Sequence, residues 1–198
     1  MSQRIISVRA KEAKLPLVIL TVESEGEKTK YTITEGTYRD IGCPLSGEEI
    51  DPGALECIER EDEQRRAVAK ALSLLSYTDN NKKRLFSKLV MAGFSSEAAS
   101  YAVKDCVMHG YVNEERQIEH LIVRYHRELN GPARIFSKLS ARGYDSKQIR
   151  KVLAQLTESG DVDFDSAKET LISKKLGSGA SAEEIKKLLY KHGYSHHD

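Results

Sequence analysis

The chain has no tryptophan, only 4 prolines and 3 cysteines, and aromatic residues make up just 7% of it. Cys43, Cys57 and Cys106 are odd in number and far apart, which excludes a disulfide framework and a zinc site and fits thiols in a reducing compartment. No apolar run approaches the roughly 20 residues that a membrane-spanning helix needs, and the N-terminus has no apolar signal core. The expectation is a soluble, cytoplasmic protein with no membrane partner. Net charge is scarce too: 31 Lys+Arg face 30 Asp+Glu, leaving +1. The molecule as a whole therefore has no excess of charge for a polyanion. Its distribution is uneven, however. Residues 1–60 hold 8 basic against 11 acidic side chains, whereas residues 82–151 hold 14 against 7.

What the chain does have is repetition. Arg84-Leu85-Phe86-Ser87-Lys88-Leu89 returns fifty residues later as Arg134-Ile135-Phe136-Ser137-Lys138-Leu139, and loosely again as Glu184-Ile185-Lys186-Lys187-Leu188-Leu189. A glycine-aromatic pair closes each copy: Gly93-Phe94, Gly143-Tyr144, Gly193-Tyr194. A fixed period of this length is the signature of a tandem array, whose units bury their apolar faces against their neighbours.

The punctuation shares the period. Gly93, Gly143 and Gly193 fall where a helix end needs a left-handed residue. Ser95, Asp145 and Ser195 follow as N-cap types for a third helix, and Asn113 and Asp163 cap the next unit. The sequence predicts helices near 62–76, 81–92 and 96–109, then 114–129, 132–142 and 146–158, then 164–176 and 182–192. The third unit is expected to stop without its last helix.

Ahead of the array, Ile5–Val8, Leu17–Val22 and Lys30–Thr34 read as strands, with a turn at Glu25-Gly26-Glu27. Ser46-Gly47-Glu48-Glu49 has the form of a capping box and predicts a short helix near Glu48–Ile50. Asp51-Pro52-Gly53 is expected to break it, before a second short helix through Leu55 and Ile58. The expected fold is mainly α: tandem three-helix repeats with a truncated third, preceded by a small β-rich segment. The divisions are residues 1–60, 61–110, 111–160 and 161–198.

Catalytic and metal chemistry is not indicated. Asp161-x-Asp163-x-Asp165 opens like a calcium loop, but Ser166 and Ile172 stand where the turn glycine and bidentate glutamate belong. His120 and His126, six apart on one helix, cannot face a common metal. Cys106 and His109 lack a second ligand pair, and the tail His192, His196 and His197 is no designed site. Phosphate loops, nucleophile elbows and His-Glu-x-x-His patterns are missing. No cofactor and no metal are expected.

The feature that does suggest a function is positive charge. Lys82, Lys83, Arg84 and Lys88 lie on the second helix of the first unit, and Arg134, Lys138 and Arg142 on its counterpart. Lys147, Arg150 and Lys151 lie on the following helix, and Arg124 and Arg127 late in the helix before. With few acidic residues at pairing distance in those second helices, the twelve form a candidate surface for a polyanion or an acidic protein.

Leu85-x3-Leu89-x3-Gly93-Phe94, the linker Gly110-Tyr111-Val112-Asn113-Glu114-Glu115-Arg116, and Gly131-Pro132-x2-Ile135-x3-Leu139-x3-Gly143-Tyr144 together resemble the RecX family of RecA regulators. The match spans roughly residues 63–195, and the β-rich start is similar to that of Gram-positive members. The resemblance implies three-helix units in a curved rod. It also implies a non-enzymatic, monomeric modulator that binds the RecA–DNA filament, with DNA as a secondary and not sequence-specific partner, and limits filament growth, ATPase and coprotease activity. Gln117-Ile118 departs from the family, which commonly has an aromatic residue and alanine there. Two other readings are a helix-turn-helix transcription factor and a helical-repeat scaffold for proteins. Against the first, helix 96–109 holds a single basic group, Lys104, beside Glu97 and Asp105.

Overall fold

The computed structural model describes residues 3–11, 16–176 and 179–194. The expectations for Ser195, His196 and His197, and for the end of the third repeat, lie outside these residues. The chain divides into two compact units, residues 1–76 with 86–108 and residues 77–85 with 109–198.

In the first unit, β1 (Gln3–Lys11), β2 (Leu17–Ser24) and β3 (Glu27–Thr34) form an antiparallel sheet in the order β1-β2-β3. The β2–β3 turn places Glu25 at φ 54° and Gly26 at φ 84°, the two positive values that a tight hairpin turn requires. Ile5, Val18, Leu20, Val22 and Ile33 pack with Ile50, Leu55 and Ile58 into one core. Those last two residues begin α2 (Pro52–Tyr77), a single helix of 26 residues where two shorter ones were expected. Pro52 opens it. The Asp51 carboxylate accepts the Gly53 and Ala54 N–H groups at 2.9 and 3.2 Å, and proline's missing N–H costs nothing in a first turn.

The short helix near Glu48–Ile50 is also absent. That segment instead runs beside β1, with Ile5 donating to the Glu48 carbonyl at 2.9 Å and Ile50 to the Gln3 carbonyl at 2.8 Å. Its backbone covers part of an edge that would otherwise be open to other strands. The opposite edge is guarded by carboxylates of α2: Thr32 N–H donates to Asp62 at 2.8 Å and Thr34 N–H to Glu61 at 2.6 Å. A helix that the sequence reading did not anticipate, α1 (Glu35–Asp40), follows β3 and is capped by Thr34.

The repeat helices fall close to their expected places. The first unit holds most of α3 (Lys82–Met91) and all of α4 (Ser96–Met108). Ser95 caps α4 through Ala98 N–H at 3.2 Å, and donates its own N–H and O–H to the two oxygens of Glu63 at 2.8 and 2.7 Å. Those two bonds hold the Glu63 carboxyl below the usual carboxylate range.

The second unit contains α5 (Glu114–Arg127), α6 (Pro132–Ala141), α7 (Ser146–Glu158), α8 (Phe164–Leu176) and α9 (Ala182–His192). Ile118, Ile122, Tyr125, Ile135, Leu139, Ile149, Val152, Leu156 and Val162 form its core. Apolar residues three and four apart on α5, α6 and α7 put one face of each helix into this core. Asn113, Asp145 and Ser181 cap α5, α7 and α9. Gly93, Gly143 and Gly193 take φ values of 93°, 89° and 82°, the left-handed ends that the repeat predicts. The fold is mainly helical, with tandem repeats after a small antiparallel sheet.

Candidate polyanion interface

The site is built where residues 77–85 meet the second repeat, all within the second unit. Asn81 starts α3: its side-chain oxygen accepts Arg84 N–H at 2.8 Å, while its side-chain amide donates to the Arg142 carbonyl at 2.8 Å. One residue thus caps its own helix and occupies a carbonyl at the end of α6. Glu114 completes the start of α3. It is only 9% exposed, and it accepts both the Lys82 N–H at 2.9 Å and the Lys82 ammonium at 2.8 Å. The linker motif therefore has a physical account: Gly110 takes φ 75°, Val112 is buried, Asn113 caps α5, Glu114 holds α3 and Glu115 pairs with Lys151 at 2.9 Å.

Eleven of the twelve candidate basic residues lie in the second unit; Lys88 lies in the first, half-buried in the last turn of α3. Several carry structural duties invisible within their own helices. Besides the Lys82–Glu114 pair, Lys138 lies 3.4 Å from Glu128 and 4.3 Å from the centre of the Tyr125 ring. Arg124 pairs with the other oxygen of Glu128 at 3.3 Å. The Arg134 guanidinium donates to the Lys191 carbonyl at 2.8 Å, and Arg150 lies over Phe136 at 5.1 Å. Lys83 lays its chain against Gly143. Arg127 and Lys147 are exposed. Carboxylates on neighbouring helices thus supply partners that helix-by-helix reading does not show.

Three of the candidates come together. Arg84, Arg124 and Arg142 line a cleft of about 400 Å³ with Thr78, Asp79, Asn81, Gln117, His120, Leu121 and Tyr144. Its floor is hydrogen-bonded: Tyr144 O–H donates to Gln117 at 3.0 Å, and the Gln117 amide donates to the Asn80 carbonyl at 3.3 Å. Burial raises the Tyr144 phenol's pKa, Arg142 and Arg84 pull it down, and Glu114 and Asp79 push it up. Lys147, Arg150 and Lys151 do not line this cleft. Sequence reading singled out the arginines but not Asn81, Gln117 or Tyr144 as their support. The available signal was Gln117, a polar residue where the resemblance implies an aromatic one.

Among the described residues, no group of three or more His, Cys, Asp or Glu is placed to hold a metal ion. Cys106 is fully buried, and burial pushes its thiol up, away from reactivity. His126 is used structurally, 2.9 Å from the Asp163 carbonyl and edge-on to Phe164. No helix among the described residues is long and apolar enough to cross a membrane.

Fold and site together define a tandem helical-repeat protein with a polar, arginine-lined cleft at a repeat junction. No family profile matches the chain. It is 28% identical over 169 residues to regulatory protein RecX of Caldanaerobacter subterraneus subsp. tengcongensis, covering 83% of this chain and 82% of that one. To regulatory protein RecX of Legionella pneumophila it is 34% identical over 91 residues, 46% of this chain and 60% of that one. A crystal structure of a regulatory protein RecX shares the fold, with a TM-score of 0.68, 18% identity, and coverage of 98% of this chain and 95% of that chain. The chain is thus similar in sequence over most of its length to a regulatory protein RecX, and shares its fold with another.

Proposed function

We propose that this protein regulates RecA without catalysing a reaction, by binding the RecA–DNA filament in the cytoplasm and limiting its growth or activity. Similarity to regulatory protein RecX over 83% of the chain carries the reading. The recurrence of Arg84 and Lys88 as Arg134 and Lys138 supports it, because basic groups at a fixed period suit a partner with a repeating charge. DNA is a secondary, not sequence-specific partner, and the regulator acts as a monomer. The test is the ATPase of RecA on single-stranded DNA with this protein added below stoichiometry. The expected result is a progressive fall in rate together with co-sedimentation of the protein with filaments. An unchanged rate without co-sedimentation would overturn the reading.

A further inference from the structure

We propose that the cleft lined by Arg84, Arg124 and Arg142 is a phosphate-binding site that seats one backbone phosphate of single-stranded DNA, with Arg84 and Arg142 as its clamp. The proposal rests on the regulatory reading only for where DNA would be met, since the cleft can be tested with DNA alone.

Arg84 and Arg134 occupy the same repeat position, yet Arg134 donates to the Lys191 carbonyl at 2.8 Å, whereas the Arg84 guanidinium has no ion pair or hydrogen bond among the described residues. At the first junction that donor fork remains available to a ligand. The Arg142 guanidinium likewise has no carboxylate partner among the described residues; it lies 5.8 Å from the centre of the Tyr125 ring. Arg124 is held by Glu128 and contributes charge at the cleft wall. Asp79 is the lone carboxylate in the lining. Guanidinium forks match two oxygens of one phosphate, and their planar geometry makes that pairing stronger than a lysine's point charge.

The support beneath these arginines is fixed before any ligand arrives. Asn81 ties the start of α3 to the end of α6, and the chain Tyr144–Gln117–Asn80 closes the floor. The arginines therefore extend from anchored backbone, which lowers the ordering cost of binding. The lining also discriminates between ligands. Leu121 is its one aliphatic side chain, so an amphipathic peptide helix would find no apolar seat. A polar, negatively charged backbone suits it better.

The experiment is fluorescence anisotropy of a labelled single-stranded oligonucleotide with the full chain, without RecA, over a range of NaCl concentrations. Arg84→Gln with Arg142→Gln is expected to weaken binding about tenfold or more. It is also expected to reduce the salt slope by about 0.7, the value for one fewer phosphate neutralised on a single strand. Lys187→Gln, outside both the cleft lining and the twelve candidate residues and paired with Glu183 at 3.0 Å, is expected to leave both close to the parent values. Each arginine is also changed singly, and melting curves of all variants separate lost binding from lost fold. Unlabelled inorganic phosphate at high concentration should compete with the parent more than with the double variant. Equal affinity and slope for the folded parent and folded double variant would overturn the proposal. So would arginine-dependent binding of polyglutamate in place of the oligonucleotide. Failure in this assay leaves the RecA reading standing, and failure of the RecA ATPase test leaves the cleft standing.

Discussion

Alanine at Gly193, Gly131 and Gly93 separates two costs that a single glycine substitution usually confounds. Gly193 ends α9 at φ 82°, and a Cβ there would overlap the Arg134 backbone nitrogen and Cβ. Gly131 has an ordinary φ of −78°, but its Cβ would lie 2.5 Å from the Gly193 carbonyl oxygen. Gly93 takes φ 93°, and a methyl group there would meet nothing within 4 Å. A left-handed alanine costs about 1 kcal/mol relative to glycine, and overpacking adds about 1–3 kcal/mol. Gly93→Ala should therefore cost about 1 kcal/mol, Gly131→Ala about 1–3 and Gly193→Ala about 2–4. Because the overlaps are with backbone, no rotamer change relieves them, and α9 must move away from the start of α6. That movement breaks the bonds from Gly131 N–H to the His192 carbonyl at 2.8 Å and from Ala133 N–H to the Gly193 carbonyl at 3.1 Å. Hydrogen exchange read helix by helix, beside urea denaturation of the full chain, should show α9 deprotected in Gly193→Ala and Gly131→Ala. The double variant should cost less than the sum, since displacement by the first methyl makes room for the second. A Gly193→Ala cost no larger than that of Gly93→Ala would refute the close approach as a stability determinant.

Other outcomes follow from buried polar groups. Asp62→Ala strands the Thr32 N–H and removes the 2.7 Å partner of Arg66, and should cost about 2–3 kcal/mol in urea unfolding of the first unit. Arg66→Ala should cost less, about 1 kcal/mol or under, because the Arg66 side chain is 62% exposed. For Glu63, the folded carboxyl titrates below its unfolded value, so its stabilisation is full above the usual carboxylate range and is lost as pH falls through the lowered folded value. The difference in urea midpoint between the parent and Glu63→Ala should accordingly shrink on acidification; a constant difference would count against the Ser95 bonds as its source. Tyr144→Phe should lose about 1 kcal/mol with the Gln117 bond, whereas Tyr194→Phe should be neutral or stabilising, since the buried Tyr194 hydroxyl has no partner among the described residues. A loss in Tyr194→Phe as large as in Tyr144→Phe would contradict this.

The tyrosine contrast shows how far the period can be read. The repeat aligns Tyr144 with Tyr194 and Gln117 with Ala167, so the hydroxyl's acceptor is present in one copy and absent in the next. Helix boundaries were legible because caps and left-handed glycines are local chemistry, decided within a few residues. The segment from residue 35 to residue 60 was not legible for the opposite reason. Ser46-Gly47-Glu48-Glu49 has the local form of a helix start, but the Ile5 N–H and the Ile6 carbonyl offer its backbone carbonyl and serine hydroxyl better partners. Pro52 reads as a breaker only until Asp51 is seen to accept the N–H groups behind it.

The charged surface was legible in composition and not in pairing, and the physical cause is distance along the chain. Lys82 and Glu114 are 32 residues apart, Lys151 and Glu115 are 36 apart, and neither separation falls within one helix. Yet the period holds a signal for the first pair. One repeat later the same positions carry Pro132 and Phe164, so the lysine and its glutamate disappear together. That is what burial demands, because a nearly buried carboxylate stripped of its cation is far costlier than an apolar pair in its place. The same comparison separates the two arginines that look alike in sequence. Arg134 is occupied by a carbonyl of α9, while Arg84 shares its cleft with Arg142, which has no carboxylate partner among the described residues. Of the three arginines lining the cleft, Arg124 is held by Glu128, whereas Arg84 and Arg142 have no carboxylate partner among the described residues and keep donors for a ligand.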